Sequence, residues 1–223
     1  MKTKKVLIVG TGETADLAYE YFTYDSEYEV CGFCVNRQYL KENQKCGLDV
    51  TAIEDIEEKY DKEEYYLFVA IASSKLNYDR TKVYNELKNK GWKFASYISS
   101  KAFVWHNAQI GENCFILENN TIQPFTKVGN NVTMWSSNHL GHRSVIKDNC
   151  FITSHVVISG FCEIGENTFI GVNSTIADNI KIAKDNFIAM SAVVNKNTEE
   201  NGLYTGNPAK KAGISAKEYF GVL

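Results

Sequence analysis

Residues 140–176 read LGHRSVIKDNCFITSHVVISGFCEIGENTFIGVNSTI, with an aliphatic residue at every sixth position. The same six-residue step continues without an insertion on both sides of this stretch. The positions on the step are Val104, Ile110, Ile116, Ile122, Val128, Met134, Leu140, Ile146, Ile152, Ile158, Ile164, Ile170, Ile176, Ile182, Ile188 and Val194. A period of six matches neither the 3.6-residue period of an α-helix nor the two-residue period of a half-buried strand. It is typical of a parallel β-helix built from hexapeptide repeats.

One coil of such a helix cannot bury its own aliphatic residues, whereas stacked coils bury them in a continuous column. We therefore predict a three-sided column over residues 104–198, on the order of 25 Å tall at a rung spacing of about 4.8 Å. Cys114, Cys150 and Cys162 fall on a small-residue position of the repeat, and we expect them to be buried rather than nucleophilic. A sandwich of short strands is the alternative, and it would require the long period to be accidental.

The first 100 residues instead alternate strand and helix patterns. Strand patterns cover residues 6–9, 28–35, 66–72 and 93–98. Helical patterns cover residues 15–22, 51–60 and 77–90, whereas residues 38–50 show no regular pattern. This alternation predicts a Rossmann-like parallel sheet with helices on both faces. We predict two domains, an α/β domain at 1–100 and a β-helix domain at 101–223 whose tail caps the open end of the column with Tyr219 and Phe220.

A glycine loop, Gly10-Thr11-Gly12, joins the first predicted strand to the first predicted helix. It matches the dinucleotide fingerprint G-x-G-x-x-(G/A), in which a helix N-terminus favours a phosphate. The fingerprint's acidic residue, about twenty positions further on, is replaced by Asn36. The domain is also only half of a dinucleotide fold. The loop therefore favours a mononucleotide or a nucleotide-sugar over NAD, and a tight turn that merely starts the helix is the alternative.

Histidine is the general base that is mostly neutral near pH 7 without a large pKa shift. His142 lies eighteen residues from both Pro124 and Gly160, so the three share one position in successive coils. That position predicts an outward imidazole near a corner, with room for a reactant beside the glycine, as a general base requires. A solvated surface histidine is the alternative. His155 shares its coil position with polar residues and is predicted to lie on a polar edge.

Composition excludes several classes of protein. The chain has 24 Lys and Arg against 27 Asp and Glu, and no basic run suggests a nucleic-acid partner. The apolar run near the start is too short for a signal peptide, and no stretch approaches the roughly 18–20 residues of a membrane span. The scattered cysteines predict neither a zinc site nor a disulfide framework. These features predict a cytoplasmic protein without a metal.

The column resembles the left-handed β-helix of the hexapeptide acyltransferases. With the α/β domain in front, the chain is similar to the PglD-like bacterial sugar O/N-acyltransferases, which acetylate nucleotide-linked amino sugars. The motifs that carry the resemblance are Val9–Gly12, Ala70–Ser73, Gly141–Ile146, Val157–Gly160, Ile170–Thr175 and Gly206–Lys210.

The resemblance implies an acetyl-CoA-dependent N-acetyltransferase that acts on a UDP-, dTDP- or GDP-linked amino sugar of the 4-amino-4,6-dideoxy type. Such a product would serve surface glycan synthesis, for example of lipopolysaccharide or O-antigen. The resemblance also implies a homotrimer, with acetyl-CoA between adjacent columns. Two alternatives remain open: a sugar O-acetyltransferase of the sialic acid type, and a non-catalytic nucleotide-binding scaffold.

The resemblance also assigns roles to residues, with His142 at the position of the catalytic histidine. It implies substrate binding by Gly10, Thr11, Gly12, Glu13, Asn36, Arg37, Ala72 and Asn138. It implies acetyl-CoA binding by His155, Gly160, Val172, Pro208 and Ala209. Arg143 stands where the family often has an acidic residue, so another carboxylate or an amide, for example Asn138, must orient His142 if it is the base. A backbone N–H at or near Gly160 is expected to stabilise the oxyanion.

Overall fold

The apolar segments at the start of the chain form a parallel sheet in the computed structural model, which describes residues 2–222. The elements are β1 (Lys4–Val9), α1 (Glu13–Tyr24), β2 (Tyr28–Val35), β3 (Gln44–Lys45), β4 (Leu48–Ala52), α2 (Ile56–Lys59), β5 (Tyr65–Val69) and α3 (Tyr78–Asn89). The strand order is β3-β4-β2-β1-β5, and only β3 runs antiparallel to its neighbour.

Strand β1 is buried on both faces of this sheet. Val6 and Ile8 belong to one apolar cluster with Phe22 of α1. Leu7 and Val9 belong to the cluster on the opposite face, which includes residues of α3. Successive side chains of a strand point to opposite faces, so helices cover both sides of the sheet, as predicted.

The rest of the chain forms a three-sided parallel β-helix of two-residue strands. These are β6 (Tyr97–Ile98), β7 (Phe103–Val104), β8 (Gln109–Ile110), β9 (Phe115–Ile116), β10 (Thr121–Ile122), β11 (Lys127–Val128), β12 (Thr133–Met134), β13 (His139–Leu140), β14 (Val145–Ile146), β15 (Phe151–Ile152), β16 (Val157–Ile158), β17 (Glu163–Ile164), β18 (Phe169–Ile170), β19 (Thr175–Ile176), β20 (Lys181–Ile182), β21 (Phe187–Ile188) and β22 (Val193–Val194). The chain then forms β23 (Gly202–Thr205), β24 (Lys210–Ser215) and the helix α4 (Ala216–Phe220).

Three sheets form the sides of the column. The site sheet has the order β22-β19-β16-β13-β10-β7, and the solvent sheet has the order β20-β17-β14-β11-β8. The docking sheet, β24-β23-β21-β18-β15-β12-β9-β6, faces the α/β unit. Each rung pairs with residues eighteen positions away, for example Leu140 with Ile122 and Ile158. The aliphatic residues on the six-residue step fill the interior, which confirms the predicted column.

Asparagine and other polar residues occupy most corners of the column, because the chain must turn there with a positive φ. Asn113, Asn131, Asn149 and Asn167 have φ values between 52° and 65°. Asparagine tolerates this left-handed conformation because its short side chain can hydrogen-bond locally. The corners therefore explain the asparagines that recur in the repeat.

The structure corrects two predictions in the α/β unit. Residues 44–52 form the hairpin β3–β4 rather than irregular chain, and the predicted helix at 51–60 shortens to α2. The predicted strand at 93–98 does not join the parallel sheet. Phe94 makes a single bridge to Leu67, and β6 pairs with β9 of the column. The column therefore begins inside residues 1–100.

The C-terminal tail covers the side of the column and not its end, contrary to prediction. The ring of Tyr219 stacks on Phe187 at 5.2 Å between centroids. The ring of Phe220 lies 5.1 Å from Phe187 and 5.8 Å from Phe169. Phe169 and Phe187 occupy the outward positions of the docking sheet, beside the aliphatic residues of the interior. These aromatic contacts hold α4 against that sheet.

Candidate functional site

The α/β unit packs directly on the docking sheet. Phe115 belongs to the apolar cluster that also contains residues of β1 and α1. The Tyr21 hydroxyl donates a hydrogen bond to Glu118 at 3.0 Å, and the Tyr97 hydroxyl donates one to Asp25 at 2.7 Å. These contacts fix the position of α1, and with it the glycine loop, relative to the column.

A cavity of about 1150 Å³ opens at the carboxyl ends of β1, β2 and β5. Ligands commonly bind at this edge of an open α/β sheet. The predicted substrate-binding residues in its lining are Gly10, Thr11, Gly12, Glu13, Asn36 and Ala72. The structure therefore brings together most of the predicted substrate-binding set.

Gly10 is required by the shape of the loop. Its φ is +128°, and a Cβ at this position would lie 2.8 Å from the backbone oxygen of Ala70. Gly12 is the N-cap of α1, so the first N–H groups of the helix adjoin the cavity. Such groups favour an anion.

The sequence interpretation missed the charged residues of the lining: Lys41, Lys45, Lys75, Lys82, Glu42, Asp79 and Glu86.

Arg37 lies outside this cavity lining. Its backbone N–H donates to the Glu54 carboxylate at 3.0 Å, and its guanidinium pairs with Asp55. Two acidic side chains of the following segment therefore hold Arg37 beside the cavity and not in its lining.

The imidazole of His142 is exposed near a corner, as the coil register predicts, but the ring itself fills the predicted room beside Gly160. A Cβ on Gly160 would lie 2.7 Å from Cε1 of His142 and 3.1 Å from each ring nitrogen. The Phe161 ring meets the imidazole edge to face, with centroids 5.0 Å apart. The backbone N–H of His142 donates to Gln123 at 2.9 Å. The ring thus rests between a glycine and an aromatic edge, where a substituent on residue 160 would displace it.

Arg143 is turned toward the preceding coil. Its guanidinium stacks on Phe125 at 4.6 Å from the ring centroid. The imidazole of His142 contacts the following coil instead. The cation and the candidate base therefore point toward different rungs.

Asn138 cannot orient His142 or contact a substrate, which corrects that prediction. It is 2% exposed. Its amide donates to the Trp135 carbonyl, and its oxygen accepts the Val156 N–H at 2.8 Å. The side chain points into the column, where it satisfies backbone groups of two rungs.

The Gly160 N–H is not free for an oxyanion. It donates to Oδ1 of Asp178 at 2.8 Å, and the adjacent Phe161 N–H donates to the His142 carbonyl. An oxyanion donor at Gly160 would therefore have to give up the bond to Asp178. Asp178 occupies the coil position of His142 and Gly160 one rung further on, so the same register argument could have identified it.

The residues predicted to bind acetyl-CoA divide between the two edges of the site sheet. Gly160 follows β16, on the same edge as His142, whereas His155 and Val172 lie in the corners that precede β16 and β19. Val172 is 42% exposed. One column therefore presents these groups on opposite edges.

Ala209 lies at the far end of the site sheet, where its N–H donates to the Val193 carbonyl at 2.8 Å. The adjacent Pro208 is exposed. The His142 rung is three rungs away, or about 14 Å at the usual spacing. The loop before β24 and the imidazole therefore mark two ends of one elongated surface.

The remaining candidate groups carry no separate chemistry. Cys114, Cys150 and Cys162 are buried as predicted, and burial raises the pKa of Cys114 and Cys150 to about 12. Residues 2–222 contain no group of three or more His, Cys, Asp or Glu side chains arranged to hold a metal. Within the same residues, the helices are too short or too polar to cross a membrane.

Comparison with known proteins supports the architecture. The bacterial transferase hexapeptide (six repeats) family matches residues 161–196. The acetyltransferase domain of PglB from Neisseria gonorrhoeae is 20% identical, with a TM-score of 0.84 over 94% of this chain and 100% of that domain. PerB from Caulobacter crescentus, solved with CoA and GDP-perosamine, is 20% identical, with a TM-score of 0.82 over 94% and 97% of the two chains.

WeeI from Acinetobacter baumannii is also 20% identical and covers 94% of this chain and 100% of its own, with a TM-score of 0.63. These likenesses extend over both units of the chain and not over the repeats alone. They confirm the predicted fold, an α/β unit followed by a left-handed parallel β-helix.

Proposed function

We propose that the chain transfers an acetyl group from acetyl-CoA to the amino group of a nucleotide-linked amino sugar. The observation that carries this proposal is the exposed imidazole of His142, which lies over Gly160 on a hexapeptide column joined to a nucleotide-sized cavity. The likeness to PerB, solved with CoA and GDP-perosamine, and to the PglB domain, solved with acetyl coenzyme A, supports the same pair of ligands.

The reaction needs one proton acceptor and one leaving group. The sugar amine attacks the carbonyl carbon of the thioester, so that a C–N bond forms and the C–S bond breaks. His142 accepts the proton lost by the amine and returns it to the departing sulfur. Bound acetyl-CoA would supply the acetyl group in activated form, beside the exposed imidazole of His142.

Acetyl-CoA fits between two columns better than on one. Gly160 lies on one edge of the site sheet and Val172 on the other. When the Gly160 edge of one column faces the Val172 edge of a second column, one extended ligand between them contacts both residues. Repeating that contact around a three-fold axis closes a ring. We therefore include a homotrimer in the proposal, with His155 of one chain beside His142 of its neighbour.

Replacement of the proposed base tests the mechanism. His142→Ala should lower kcat about 10²–10⁴-fold, the usual contribution of general-base catalysis. The dissociation constant for the nucleotide-sugar should stay unchanged, because the cavity lies in the α/β unit. His106→Ala, which removes an exposed histidine at the start of the column, is the matched control. Full activity of His142→Ala would remove the residue from the mechanism.

A thermal-shift panel of UDP-, dTDP- and GDP-linked 4-amino sugars, with and without acetyl-CoA, identifies the substrate through ligand stabilisation. Assays of each stabilising ligand beside its hydroxyl counterpart then compare N- with O-acetylation. Consumption of thioester only with the hydroxyl compounds would favour the sialic acid O-acetyltransferase type. Stabilisation without any thioester consumption would instead identify a non-catalytic scaffold.

A further inference from the structure

Arg80 of α3 is 1% exposed, although arginine is almost never fully buried unless it is paired. Within the part of the chain that the structure describes, its hydrogen-bond acceptors are all neutral oxygens. Burial lowers the pKa of Arg80 to about 10, so the guanidinium stays charged at neutral pH. Burying a charge is costly without strong compensation, and its contacts indicate where that compensation comes from.

The guanidinium joins the column to the wall of the cavity. On the column side, Nε donates to Oδ1 of Asn131 at 3.2 Å, and one terminal nitrogen donates to the Asn149 carbonyl at 3.0 Å and the Cys150 carbonyl at 3.3 Å. On the α/β side, the other terminal nitrogen donates to the Ala72 carbonyl at 3.4 Å. Ala72 lines the cavity, so one side chain holds both surfaces.

The segment that follows Ala72 has a backbone that needs such support. Lys75, Leu76 and Asn77 are three consecutive non-glycine residues with positive φ, at 47°, 50° and 69°. This conformation is unfavourable for each of them and persists only when surrounding contacts enforce it. Asn77 is fully buried and donates from its amide to the Asn167 carbonyl at 3.1 Å. A second side chain therefore holds the segment to the same corner of the column.

We propose that Arg80 and Asn77 are positioning residues that hold segment 72–77 against the column, so that the nucleotide cavity takes its working shape from the β-helix. This inference rests on the proposed function only for the identity of the ligand, a nucleotide-sugar. The contacts that hold segment 72–77 do not depend on that identity. The α/β unit would then not be an independent binding module, because one wall of its cavity is built on contacts from the next unit.

Two substitutions test the proposal. Arg80→Lys keeps the charge but cannot reach Ala72 and Asn149 together, and Asn77→Gly keeps the left-handed backbone but loses the bond to Asn167. Each should raise KM for the nucleotide-sugar about tenfold, as expected for the loss of one or two hydrogen bonds from the wall. The values of kcat and of KM for acetyl-CoA should stay within about twofold, since the His142 surface is untouched.

Hydrogen–deuterium exchange of the ligand-free chain provides a readout that does not depend on activity. Amides of residues 72–77 should exchange faster in both variants. Tyr84→Phe is the matched control. It removes a hydrogen bond from the same helix to Glu112 of the column without touching Ala72, and it should change neither KM nor exchange at 72–77.

The outcomes separate this proposal from the proposed function. Unchanged exchange at 72–77 in both variants overturns the proposal that Arg80 and Asn77 hold the segment. For binding, the dissociation constant is measured with whichever of UDP, dTDP and GDP binds the wild-type chain. Faster exchange with an unchanged dissociation constant also overturns the proposal. If none of the three binds the wild-type chain, the assignment of the cavity fails, while exchange still decides whether Arg80 and Asn77 hold the segment. Faster exchange in Tyr84→Phe as well would show general undocking and would also overturn it.

Discussion

Gly160 determines where the imidazole of His142 can lie. Gly160→Ala would place a Cβ within 2.7 Å of Cε1, a contact that the exposed ring can relieve only by rotating away. We expect kcat to fall at least about tenfold, because small misplacements of a catalytic group cost large factors in rate. The circular dichroism spectrum and the unfolding temperature should change little, since the φ of this glycine is ordinary.

Gly213→Ala is the control for Gly160→Ala. No atom lies within 4 Å of a Cβ at residue 213, and β24 is remote from the site sheet's catalytic edge. Activity of the control should equal that of the wild-type chain. Wild-type kcat in Gly160→Ala would show that the imidazole does not work from this position.

The corner asparagines matter through their side chains as well as through their backbone. Asn131 accepts bonds from Asn113 and Arg80 and donates to Asn149 at 2.8 Å. Asn131→Gly keeps the positive φ but leaves those buried groups unpaired, so the free energy of unfolding should fall by about 1–3 kcal/mol. Urea denaturation measures the change. Asn119→Gly, at an exposed corner with φ 59°, should be nearly neutral, and equal losses in both variants would contradict the argument.

At the scale of elements, the docking of α1 on the column should depend on pH. Glu118 accepts hydrogen bonds from the hydroxyls of Ser136 at 2.6 Å and Tyr21 at 3.0 Å. The Ser136 bond is the largest cause that lowers the pKa of Glu118 below its ordinary value. A carboxylate whose pKa is lower in the folded state stabilises the fold above its unfolded pKa, and that stabilisation is lost as pH falls through the folded value.

Thermal unfolding from pH 7 down to pH 3 (about one unit or more below the ordinary pKa of glutamate) tests this dependence. Glu118→Gln should unfold at a lower temperature than the wild-type chain at pH 7, and the difference should shrink as the pH falls. Glu58→Gln changes an exposed carboxylate on α2 and should track the wild-type curve. A difference between wild type and Glu118→Gln that is constant across this range would contradict the assignment.

The elements also show where sequence reasoning works. The six-residue step predicts the strands from β7 to β22, because each aliphatic residue on the step is buried in the column and an insertion would break the register. It does not predict that β6 and β23 extend the docking sheet. The same register places His142 over Gly160. Sequence alone gives no such constraint for β3 and β4, because β4 joins the sheet by pairing with β2, and β3 pairs only with β4. Asn138 was misjudged because a polar residue inside the column serves backbone groups that only the folded coil brings together.

At the scale of the whole molecule, one apolar surface stays about half exposed among the residues that the structure describes. Phe103, Phe125, Val157 and Phe161 are 40–54% exposed, and they lie on the site sheet or on the corner that follows it. Large exposed apolar surfaces mark interaction sites.

The wild-type chain should therefore have a solution mass three times its 25.2 kDa by light scattering. Phe125→Asp should reduce that mass, whereas Tyr24→Asp, on α1 and 78% exposed, should not. A monomeric wild-type chain would contradict the trimer.

The trimer makes a sharper prediction, because each active site would combine the His142 edge of one chain with the Val172 edge of the next. His142→Ala breaks only the first edge, and Val172→Arg, which places a bulky cation on the acetyl-CoA surface, breaks only the second. Each variant alone should lose at least about 99% of the wild-type activity. Co-assembled in equal amounts, they should regain activity at about a quarter of the sites, since a random ring pairs two intact edges with that frequency. Mixing the folded trimers without dissociating them is the control and should restore nothing. If co-assembly also restores nothing while mixed trimers are shown to form by mass, each site lies within one chain and the shared acetyl-CoA surface is ruled out.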